Sequence, residues 1–147
     1  MILIEQIKSE SLAGNIIGNP VERDVVVYLP PSYDTTSQHF PTVYLLHNFY
    51  SRARFWAFGP SIDFGSLHRP LQEVLDEAIM SGILPELIVI MPDGWCKFGC
   101  SMWVDSVTNG NFEQYVIQDV IRFADSRFRT IPNAKGRGIA GIGAGGL

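Results

Sequence analysis

The sequence has little of most things that would set it apart from ordinary globular proteins. Of its 147 residues only two are cysteine, Cys96 and Cys100. That is too few for a disulfide-stapled miniature domain, and with no histidine nearby they make a poor zinc site. Spacing alone leaves them open as two free thiols in a loop, as a bridge formed in an oxidising compartment, or as metal ligands. No apolar run approaches the roughly 20 residues of a membrane-crossing helix. Met1 to Lys8 lacks the basic start and apolar stretch of a secretion signal, so the expected compartment is the cytoplasm. Acidic side chains outnumber basic ones 15 to 11, for a net charge of −4, and the basic ones do not cluster. This argues against a nucleic-acid surface and against a membrane-surface helix, both of which need concentrated positive charge. The absence of repeats and low-complexity tracts removes solenoids and fibres.

What is present describes one globular domain: 46% apolar, 12% aromatic and 18% charged residues. Ile2 to Lys8 alternates as a half-buried strand does, and Arg23 to Leu29 is rich in β-branched residues. Thr42 to Leu46 and Leu87 to Met91 are short continuous apolar runs, the pattern of strands covered on both faces. Between them Pro70 opens a helix with an apolar stripe at Leu71, Val74, Leu75, Ala78 and Ile79, and Gly82 stands past its end. A loop over 92–109 carries Trp95, Trp103 and both cysteines, and an aromatic loop of that length is usually functional. Asn111 and Gln114 read as a capping box for a helix running to about Arg127. Gly138 to Gly141 is then a short strand feeding a glycine cluster that reaches Gly146. The order predicts an α/β protein with a largely parallel sheet. Its last strand has no helix over it and no partner on its outer side, so the sheet reads as incomplete, with an edge through which copies could pair.

Four blocks, read in order, resemble one known family: Val27-Tyr28-Leu29-Pro30-Pro31-Ser32-Tyr33, Tyr44-Leu45-Leu46-His47, Met91-Pro92-Asp93-Gly94, and Asp119 through Thr130-Ile131-Pro132 into Gly138-Ile139-Ala140-Gly141. The chain is similar to the esterases of the α/β-hydrolase superfamily that include feruloyl and acetylxylan esterases, S-formylglutathione hydrolase and mycolyltransferases. The resemblance implies the N-terminal part of one three-layer α/β-hydrolase sandwich over 1–147, incomplete after the nucleophile elbow. It also implies carboxylic-ester hydrolysis through an acyl-enzyme, small-molecule or carbohydrate-linked esters as substrates, and no cofactor or metal.

The same resemblance assigns residues. The elbow pattern G-x-S-x-G puts the nucleophile at position 143, where this chain has Gly143. Glycine accepts the elbow's positive φ but offers no Oγ. The oxyanion-hole donors are the amides of Phe49 and Ala144. Asn48 stands where the family has glycine, and as an asparagine it tolerates left-handed backbone. Asn48, Trp103 and Asp105 are the expected substrate contacts, with Trp95 and Ser106 on the same rim. His39, His47 and His68 all precede the elbow, whereas the triad histidine of this fold follows it. His39 reads as a surface side chain, His68 as a capping or packing residue, and Asp93 as a turn residue. The expectation is therefore a catalytically incompetent chain, with a non-catalytic binding module or pseudoenzyme as the alternative. The competing dinucleotide reading rests on Gly141, Gly143 and Gly146, or on Gly136, Gly138 and Gly141, matching G-x-G-x-x-G. Neither match is followed by the acidic residue that binds ribose.

Overall fold

The computed structural model describes residues 1–59 and 69–146. Five strands form the main sheet: β1 (Ile2–Lys8), β2 (Glu22–Tyr28), β3 (Thr42–Leu46), β4 (Ile88–Pro92) and, named in chain order after two short strands, β7 (Arg137–Gly141). The short strands β5 (Asp105–Ser106) and β6 (Gly110–Asn111) pair as a hairpin inside the long loop. The spatial order is β1-β2-β4-β3-β7. β1, β2 and β4 are joined by antiparallel pairings, while β4, β3 and β7 run parallel. The sheet is thus mixed, and parallel on the side that carries the glycine cluster.

Burial follows the residue pattern. Ile2 to Lys8 alternates between half-buried and exposed positions, as an edge strand with one covered face must. Val25 to Tyr28 and Ile88 to Met91 are covered on both faces, which is why they read as unbroken apolar runs. Val26, Tyr28, Val89 and Met91 meet α1 (Ala53–Phe58) and α2 (Leu71–Met80) through Ala53, Ala57 and Leu75. Val25, Val27, Tyr44, Leu46, Ile88 and Ile90 meet the helix over 112–127 through Phe112, Tyr115, Val116, Val120 and Ala124. One layer of helix on each side of a sheet is the expected three-layer sandwich.

The 112–127 helix is α-helical at Phe112–Gln114 and Ile121–Arg127 and widens to π hydrogen bonding across Tyr115–Val120. The wide turn buries Tyr115, Val116, Asp119 and Val120. Asp119 accepts from the Ser9 hydroxyl at 2.6 Å and the Ser11 amide at 3.0 Å, tying the β1–β2 connection to the helix. The capping box expected at Asn111 and Gln114 does not form. The Asn111 side chain makes no cap bond, and the Gln114 amide instead donates to Asp105 at 3.1 Å. The hairpin has swung a carboxylate over the helix start, where it satisfies an otherwise orphaned donor.

β7 lies at the edge of the sheet among the described residues, and Ile139 on it is 65% exposed. His68 lies outside the described residues; His39 is exposed in its polar loop.

Candidate active site

The site is built where β3, β4 and β7 end side by side. Leaving β3, the chain turns at His47, which is completely buried. Its Nδ1 donates to the Asn48 carbonyl at 2.8 Å, and its Nε2 accepts from the Gly94 amide at 2.9 Å. These partners put the ring proton on Nδ1 and leave no nitrogen free to act as a base. The Trp103 indole N–H donates to the His47 carbonyl at 3.1 Å, and the two rings meet edge to face, 5.0 Å apart. His47 is therefore the peg on which the loop hangs.

Asp93 lies beside His47 and ties Arg52 to the Trp95 backbone. The turn reading of Pro92-Asp93-Gly94 understates it, since the carboxylate is buried. It accepts from the Trp95 amide at 2.9 Å and from Arg52 at 3.1 Å, and lies 3.5 Å from His47 Nε2. Burial pushes this carboxyl up, but the Trp95 amide that donates to it and the Arg52 guanidinium outweigh burial, and Asp93 titrates below its usual value. Arg52 in turn stacks on Trp95, 4.1 Å from the ring centre.

At the end of β7 the backbone makes a turn that only glycines fit. A Cβ on Gly141 would stand 1.9 Å from the Gly145 carbonyl oxygen, and one on Gly145 would stand 2.4 Å from the Leu46 carbonyl oxygen. Gly143, at the apex, has φ +55°, the left-handed conformation of a nucleophile elbow. Ala144 follows, buried, with its amide directed back across the site.

The two amides assigned to the oxyanion hole converge on a single atom. Phe49 N–H donates to Asn48 Oδ1 at 2.7 Å, and Ala144 N–H donates to the same oxygen at 3.1 Å. Asn48, expected as a substrate contact, occupies both amides with its own carboxamide. Its backbone is not left-handed either; in this loop that conformation falls on Tyr50, at φ +52°. Beside the elbow opens a cleft of about 620 Å³ bordered by Leu46, Trp103, Val104, Ile139, Gly141 and Ala144.

Of the two other expected contacts, Trp103 borders the cleft and Asp105 does not. Trp103 is buried, with its ring pressed on Gly94, where a Cβ would lie 2.5 Å from the ring; only part of it borders the cleft. Asp105 is outside the cleft lining and caps the 112–127 helix. Both cysteines are buried free thiols, and burial pushes the Cys100 thiol up.

Residues 19–147 match the family described as Putative esterase. The chain belongs to this esterase family. Its fold is similar to that of a ferulic acid esterase, at 21% identity and a TM-score of 0.74 over 96% of this chain and 48% of that one. It is similar to a serine-to-alanine mutant of the feruloyl esterase module from Clostridium thermocellum complexed with sinapinate, at 25% identity and TM-score 0.70, covering 99% and 46% of the two chains. It also resembles an S-formylglutathione hydrolase from Agrobacterium tumefaciens, at 16% identity and TM-score 0.68, covering 99% and 50%. The chain spans about half the length of these esterase structures. The buried Asp93 cluster and the Asn48 carboxamide held by two amides escaped the sequence reading. The one signal available was that two departures from the esterase pattern, Asn48 and Gly143, fall in segments that this fold brings face to face.

Proposed function

We propose that this protein carries an ester-recognition site of the serine-esterase type that binds acyl or ester ligands without forming an acyl-enzyme at residue 143. In a serine esterase the Oγ attacks the carbonyl carbon, a histidine takes the Oγ proton, and two amides take the charge that develops on the carbonyl oxygen. What supports the last of these elements is the convergence of the Phe49 and Ala144 amides on one point. The observation that carries the reading is Gly143, which has the elbow's φ of +55° and no side chain with which to attack. Loss of a serine nucleophile costs about 10⁶-fold in turnover in a well-studied protease. The ligand class proposed is a small-molecule or carbohydrate-linked ester. Support comes from the feruloyl esterases of similar fold and from the apolar border of the cleft at Leu46, Trp103, Val104 and Ile139.

The test is to treat the protein with a fluorophosphonate probe, to assay p-nitrophenyl acetate, and to follow methyl ferulate by saturation-transfer NMR. The expected result is no covalent label and no phosphonate-sensitive turnover, with transfer from the protein to the methyl ferulate ring. Turnover that the phosphonate abolishes would overturn the non-catalytic reading, and absence of transfer would overturn the ligand class.

A further inference from the structure

Asn48 and Gly143 occupy one volume. A Cβ built on Gly143 would lie 2.0 Å from Asn48 Oδ1, 2.5 Å from its Cγ and 2.9 Å from its Nδ2. Those three atoms are the whole carboxamide, and all three distances are shorter than real Cβ contacts. Asn48 is exposed, so its carboxamide can turn toward solvent only by giving up the two bonds its oxygen accepts from the Phe49 and Ala144 amides. Displacing it would return the exposed Phe49 amide to water and leave the amide of buried Ala144 without its acceptor. The neighbouring glycines are obstructed differently. The nearest atoms to a Cβ on Gly141 belong to the Gly145 backbone, and the two nearest to one on Gly145 belong to the Leu46 backbone, so no side-chain change relieves either.

We infer that Asn48 and Gly143 are a matched pair: the Asn48 carboxamide is the resident ligand of the oxyanion hole, and glycine at 143 is what makes room for it. This rests on reading the site as a serine-esterase site. Asn48 presents to the two amides the same group an ester would, a carbonyl oxygen on a planar carbon, and it does so from within the chain. Any side chain at 143 evicts it. Any ligand carbonyl that is to reach the amides must evict it as well, so Asn48 decides what the site can hold.

The experiment is a double-mutant cycle on equilibrium unfolding in urea, using Gly143→Ala, Asn48→Gly and the pair. Alanine carries a left-handed backbone penalty at 143 in either background, about tenfold in the folding equilibrium, and this cancels in the cycle. The expected result is that Gly143→Ala costs about ten times more or greater in the wild-type background than with Asn48→Gly present, an excess within the range for residues in contact. Gly141→Ala serves as the control and is not rescued by Asn48→Gly. Equal cost of Gly143→Ala in both backgrounds overturns the inference. If Gly143→Ala alone yields no folded protein, recovery of folding in the pair supports the inference and failure to recover overturns it. A second readout needs no change at 143: in Asn48→Gly, hydrogen exchange at the Ala144 amide should accelerate, although residue 144 is far away in sequence. Unchanged protection there overturns the inference. Both readouts report on folding and hydrogen bonding alone, so they stand or fall separately from the esterase assays.

Discussion

Replacing Asp93 tests the frame that joins Arg52 to the Trp95 backbone. Asp93→Ala removes the acceptor for the Trp95 amide, and an unsatisfied donor at a largely buried position costs about 1–3 kcal/mol. It also removes the ion pair with Arg52, which we discount to about 1 kcal/mol or less because the Arg52 side chain is 42% exposed. The sum is a loss of about 1–4 kcal/mol. Asp93→Asn keeps an oxygen for the Trp95 amide and loses only the charge, so it should cost about 1 kcal/mol. Urea unfolding followed by tryptophan fluorescence reads both. The pH dependence supplies an independent check. Because the folded-state pKa of Asp93 is depressed, its stabilisation is fully present above the unfolded value near 3.8 and is lost as pH falls below that toward the folded value. The stability difference between wild type and Asp93→Asn should therefore hold from neutrality to about pH 4 and shrink below it. Equal costs for the two variants, or a difference that does not change with acid, would refute the reasoning.

Gly94→Ala should lower the melting temperature by the equivalent of roughly 1–3 kcal/mol, since its Cβ would stand 2.5 Å from the Trp103 ring. Gly138→Ala, whose Cβ would find only Val43 Cγ2 at 3.7 Å, should be neutral or stabilising by about 0.4–1 kcal/mol, and the reverse ranking in thermal melts would contradict both. Cys96 and Cys100 should react with Ellman's reagent at pH 8 far more slowly than a small free thiol until urea unfolds the protein, because both are buried and the Cys100 thiol is pushed up; rapid native reaction would count against that environment.

The strands were legible because their burial is written in their composition. Val25 to Tyr28 and Ile88 to Met91 are covered on both sides, so nothing polar interrupts them, and Ile2 to Lys8 alternates because only one face is covered. Helix α1 was not legible, being only six residues long with two residues buried. The cap of the 112–127 helix was misassigned to Asn111 because a local rule cannot foresee Asp105 being folded over the helix start by a hairpin. Of the site, the glycines and the two amides could be placed by resemblance, since backbone geometry carries them. The roles of Asp93 and Asn48 could not. Proline, aspartate and glycine in a row are turn residues whether or not the carboxylate is buried, and whether a carboxamide points at solvent or at two amides is a rotamer choice made by the surrounding fold.

The closeness of Gly141 and Gly145 to backbone carbonyls bears on what an outline of this kind records. These two glycines answer to steric exclusion: a methyl group at either place collides with main chain, whatever reaction takes place nearby. A side chain at 143 would meet another side chain, Asn48, and no main chain among its nearest atoms. Packing and reactivity are separable demands, so the outline drawn by Gly141 and Gly145 is set by packing and is silent about the reaction. Inferring activity from the spaced glycines weighs geometry alone; the atom that breaks bonds must be sought separately, together with whatever already sits in its place.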